Sequence, residues 1–110
     1  MVRSQFNQAN LTASTKTANI MAGDVNEFIT SDSEVTIYAI SSAAGVRVTI
    51  MADGDIIVDD KELLTIGTSL IIPDNMLTNF AVEAGTRLAI YLRETAGVAT
   101  TDVLLAVDVE

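Results

Sequence analysis

The stretch "MADGDIIVDDKELL", residues 51–64, gathers Asp53, Asp55, Asp59, Asp60 and Glu62 around one lysine, Lys61. Carboxylates at this density can hold a hard cation, form a general acid–base pair, or keep a loop in water. An EF-hand loop begun at Asp53 has Asp55 at its third position but Ile57 at its fifth. Val58 replaces the glycine of the sixth position and Leu64 the closing glutamate, so that motif is excluded. A looser calcium site on Asp53, Asp55 and Asp59 needs only clustered oxygens. "DGD" also reads as a tight turn, with Gly54 supplying the permissive backbone and the aspartates bonding locally. The acidic stretch is therefore taken as a solvated rim that deters edge-to-edge aggregation, and no metal ligand or cofactor is assigned to it.

Little other chemistry is available. The chain has no histidine and no cysteine, which removes Ser-His-Asp and Cys-His catalysis, the usual zinc and iron sites, and disulfides. The Asp-Thr/Ser-Gly signature of retroviral-type aspartic proteases is missing; its nearest text is Asp32-Ser33-Glu34. Two tyrosines, three phenylalanines and no tryptophan give a glycosidase little with which to line a sugar groove. For Ser–Lys chemistry there are only Lys16, in a polar segment, and Lys61, whose acidic neighbours favour the charged ammonium, the wrong state for a base. Neither a phosphate loop nor G-x-G-x-x-G is present. No catalytic residue is expected, and the chain is not expected to be an enzyme.

The elements that would position any site are β-strands. Val, Ile and Thr supply 35 of 110 residues, and their β-branched side chains favour strands. Alternation is clear in 35–40, 46–51, 87–93 and 102–109. In the last of these Val103, Leu105, Val107 and Val109 share one face, and Leu104, Ala106 and Asp108 the other. "SSAAG" (41–45) and "ETAGVAT" (94–100) read as hairpin loops. Weaker strand candidates are 17–21, 25–29, 55–58, 63–66, 69–72 and 79–83; residues 61–64 or 74–79 could each form one helical turn. About eight short strands separated by turn signals indicate a sandwich or barrel.

Residues 1–16 differ: Ser, Thr, Asn and Gln surround isolated Val2, Phe6 and Leu11 with no sustained period. They are expected to form an extended polar arm preceding a single domain over 17–110, with Val2, Phe6 and Leu11 as the arm's partner-binding residues. The segment lacks the apolar core of a secretory signal, so synthesis in a cytoplasm is expected and the sequon at Asn10 carries no weight.

The composition bounds the partners. Fifteen acids against six bases give a net charge of −9, which disfavours nucleic acid and anionic membranes. Mean hydropathy is +0.40, yet no run reaches the roughly 18 apolar residues of a membrane span. Ile56-Ile57-Val58, Leu70-Ile71-Ile72 and Val103-Leu104-Leu105 are apolar on both strand faces. Each turns at least one apolar side chain outward unless a bulge or another subunit covers it, so a homo-oligomer is expected.

"FAVEAGTRLAIYLRETAGVATTDVLLAVDVE" (80–110) resembles the closing hairpin of a viral or phage jelly roll, and "IMAGDV" (20–25) has a similar Ala-Gly-Asp turn near the first strand. The chain resembles small phage virion proteins, in particular capsid cement or decoration proteins. The resemblance implies a jelly-roll-like antiparallel β-sandwich, a homotrimer, the major capsid protein as partner, and a place on the virion after synthesis in the host cytoplasm. The other reading is a carbohydrate- or calcium-binding β-sandwich module that uses the 51–62 loop with Tyr38 or Tyr91 as a stacking surface.

Overall fold

The computed structural model describes residues 2–9, 11–65, 76–97 and 101–110. Among the described residues seven strands form: β1 (Val2–Gln8), β2 (Ser33–Ser41), β3 (Val46–Ala52), β4 (Asp55–Glu62), β5 (Met76–Val82), β6 (Leu88–Glu94) and β7 (Val103–Val109). One antiparallel sheet runs β1-β7-β2-β5 and the other β4-β3-β6. The inward rows anticipated from alternation meet between them. Val35 and Ile37, Val103, Leu105 and Val107 face Val48, Ile50, Ile90 and Leu92 in one buried core.

Among the described residues no eighth strand is formed, but a stretch near 15–20 is held to β6 partly through side chains. Glu94 donates its N–H to the Thr15 carbonyl, Thr17 to that of Leu92, and Ile20 to that of Ile90. Opposite them, the Leu92 N–H donates to Thr17 Oγ1 and the Ile90 N–H to Asn19 Oδ1, each at 3.0 Å. Side-chain oxygens thus occupy ladder positions that a strand fills with its own carbonyls. With residues 15–20 beside β6, the chain alternates between sheets at every step except the β3–β4 hairpin, the order of two interlocked Greek keys. The domain is a jelly-roll-like antiparallel β-sandwich.

Both expected hairpins are corrected. β2 and β3 lie in different sheets, as do β6 and β7, so 42–45 and 95–97 are corners of the sandwich. They pack on each other: Thr95 donates its N–H and its hydroxyl to the Gly45 carbonyl, at 2.8 and 2.7 Å. Gly45 has φ +99°, and a Cβ there would meet the Cβ of Ala96 at 2.6 Å. The tight turn is instead Asp53-Gly54, with φ +50° and +83°, the two-residue geometry that suits the twist of β3 and β4. Of the weaker candidates, 55–58 and 79–83 fall within or overlap β4 and β5, 17–21 and 25–29 form no strand, and 69–72 lies outside the described residues. Residues 61–62 extend β4 rather than starting a helical turn.

Residues 2–8, expected in the separate arm, are an edge strand of the domain. β1 pairs along β7 from Val2–Val109 to Gln8–Val103. Its inward face is half polar, Val2, Ser4, Phe6 and Gln8, so apolar burial alone does not secure it. Asn26 Nδ2 donates to Ser4 Oγ at 2.9 Å and to the Val2 carbonyl at 3.2 Å, and Ser4 Oγ donates to Asp24 Oδ2 at 2.5 Å. On the outer face the Arg3 guanidinium grips Asp108 with two bonds of 2.6 and 2.7 Å, the bidentate geometry that adds direction to charge. That contact holds the Arg3 guanidinium above its ordinary value.

Candidate functional site

The three residues expected to reach a partner have different fates. Leu11 is 6% exposed and belongs to the domain's own core, and Phe6 packs half-buried against that core. Only Val2 remains open, at 48%. At Leu11 the polar segment turns back across the sandwich, with the Leu11 N–H bonding the Thr101 carbonyl at 3.0 Å.

The acidic stretch forms the β3–β4 hairpin, and its carboxylates are spread along it. Asp53 Oδ1 accepts the Arg87 N–H at 3.0 Å, tying the turn to the start of β6. Asp60 sits at φ +49° and reaches across the face of the sheet to Arg93, with bonds of 3.0 and 2.5 Å. The Arg93 contact first, then the fields of Arg47 and Lys16, hold the Asp60 carboxyl below its ordinary value. Asp55 and Asp59 point to solvent. Among the described residues no group of three or more carboxylates converges closely enough to hold a metal ion.

β4 departs from regular pairing with β3 twice, between Val48 and Ile50 and between Ile50 and Met51. The extra residues on β4 accommodate the Ile56-Ile57-Val58 run: Val58 turns to the core while Ile56 and Ile57 stay exposed. A bulged edge carrying several carboxylates is a poor template for another strand.

Neither Tyr38 nor Tyr91, the two alternatives for a stacking surface, presents a fully open ring. Tyr38 is buried on the outer side of its sheet, and the Lys16 ammonium lies 4.9 Å from the centre of the Tyr91 ring.

Alternation gives no warning of the most open apolar surface, at the end of the sandwich where β1 and β2 begin and β7 ends. Val25 is 73% exposed, Phe28 57% and Val2 48%. These side chains, with Ile29 and Val109, border a depression of about 220 Å³. Arg87 stands 5.9 Å from the Phe28 ring centre and is paired with Glu27 at 3.0 Å. The Gly23 N–H first, and then the Arg87 guanidinium, hold the Glu27 carboxyl below its ordinary value. Residues 25–29 look like a weak strand in sequence, so the signal available was an apolar pair, Val25 and Phe28, in a segment with no regular period. The chain matches no protein-family model and no curated protein sequence.

Proposed function

We propose that the chain is a structural virion protein, a decoration (cement) protein that binds and stabilises an assembled capsid shell as a homo-oligomer, a trimer by the resemblance drawn above. Its partner on this reading is the major capsid protein, and it acts without chemistry. A protein that binds only the assembled state adds its binding free energy to that state by mass action. The observation that carries the reading is the outward display of large apolar side chains, Val25 and Phe28 at one end and Ile56 and Ile57 on β4, on a jelly-roll-like frame. Such surface gains free energy when another chain covers it. The carbohydrate or calcium alternative has less support, because Tyr38 is buried, Lys16 covers Tyr91, and the described carboxylates of the hairpin do not converge.

The test combines light scattering with co-sedimentation on purified shells. An oligomer at micromolar concentration that pellets with assembled shells and ignores free capsid subunits is expected. A monomer that stays in the supernatant would sink the proposal.

A further inference from the structure

The open end of the sandwich combines an apolar depression with acidic charge that no nearby cation among the described residues neutralises, although Asp32 and Glu34 each accept a hydrogen bond, from the Ala84 N–H and the Asn79 amide. Glu34 and Glu110 exchange backbone bonds of 2.8 and 2.9 Å, so they are direct cross-strand neighbours. Two exposed carboxylates placed opposite each other repel, an arrangement that costs stability. Asp32 and Glu83 border the same surface, which shares Ser33 and Glu110 with the apolar depression. Among the described residues, none of these four carboxylates is ion-paired, whereas Arg3 and Arg87, the nearby cations, are both committed to Asp108 and Glu27.

From this we infer that the depression bounded by Val2, Val25 and Phe28, with the Glu34–Glu110 pair at its rim, is a docking site for a basic segment of another protein that presents an apolar side chain between lysines or arginines. Charge selects this occupant. A second copy of the chain would bring further acidic surface, since each carries −9, and an acidic or neutral segment would leave the rim repulsion in place. The size agrees: about 220 Å³ is below the roughly 300–1,000 Å³ of pockets that enclose drug-sized molecules, and suits one or two side chains. The inference extends the virion proposal by specifying what the bound surface should look like, but its test does not require shells, so either can fail without the other.

The test titrates the full chain, by fluorescence anisotropy, against a labelled peptide with one leucine flanked by two lysines on each side, and against the same peptide with alanine for leucine. The leucine peptide should bind about tenfold more tightly, in keeping with the burial of one apolar side chain. Val25→Ser and Phe28→Ser should each abolish that preference. Both side chains are mostly exposed, so the fold survives, as circular dichroism would verify; should Phe28→Ser unfold, Val25→Ser alone decides. Glu34→Gln should weaken both peptides severalfold at low salt and have less effect at high salt. Equal affinity for the two peptides, no binding of either at millimolar concentration, or a leucine preference that survives Val25→Ser would each overturn the inference.

Discussion

The two ends of the sandwich use carboxylates in opposite ways. At the end where β6 stops, Glu94 is buried and its oxygens accept N–H groups from Ser14, Ala96 and Gly97 at 3.0, 3.0 and 2.7 Å. One side chain thereby joins the N-terminal segment to the 95–97 corner and satisfies donors that the turn leaves over. At the other end Glu34 and Glu110 stand exposed side by side, beside apolar side chains that also face water. The first end spends its acid on folding. At the second, Glu27 and Asp24 also serve the fold, but Glu34 and Glu110 leave unneutralised charge beside open apolar surface, and that difference makes it the better place to look for a partner.

Substitutions can break or sharpen this contrast. Glu94→Ala should have the largest effect, a loss of about 3 kcal/mol, on the order of 1 kcal/mol net for each of the three part-buried bonds its carboxylate accepts. Urea unfolding would measure it, and a loss below 1 kcal/mol, on the order of a single weak hydrogen bond, would mean that water replaces the carboxylate. Gly45→Ala comes next, at about 1–3 kcal/mol, because the new methyl strikes Ala96 from a left-handed backbone. A normal melting temperature for this variant would show that the two corners do not meet.

Acid should weaken the fold with a defined sign. Glu27 and Asp60 are held below their ordinary values of 4.5 and 3.8. Their contribution is complete above those values and is lost as the pH falls through the lower folded ones. Arg93→Gln should therefore reduce stability near neutral pH and flatten its decline below pH 3.8; an unchanged acid limb would remove Asp60 from the account. The smallest effect is expected at the open end, and there it reverses sign. Glu34→Gln keeps an acceptor for Asn79, which donates to Glu34 Oε1 at 2.7 Å, and relieves the cross-strand repulsion. It should stabilise the chain by roughly 0.2–1 kcal/mol, and any destabilisation would argue that the pair serves the fold after all.

Much of the frame was legible because period 2 reports which face of a strand is buried. Ile90 and Leu92, and Val103, Leu105 and Val107, fell where alternation places them, whereas Ala106 and Asp108 on the opposite face of β7 are buried as well. Alternation is silent about sheet membership, so a small-residue connection such as 41–45 reads equally as a hairpin or a corner. Only Asp53-Gly54 carried a signal specific to a two-residue turn. β1 was hidden because Arg3, Ser4, Asn26 and Asp108 secure it through polar contacts between residues distant in sequence. The open apolar end was hidden for a related reason: Val2 is remote in sequence from Val25 and Phe28 and joins them only when β1 docks.

The side-chain oxygens of Thr17 and Asn19 also bear on how copies can meet. With them along one margin of the three-stranded sheet and the twisted, carboxylate-bearing β4 along the other, neither margin offers the continuous row of main-chain groups that lets sheets propagate from molecule to molecule. Any association on that half of the domain must then be recognised side chain by side chain. Recognition of that kind ends at a defined complex, whereas ladder growth has no intrinsic stopping point.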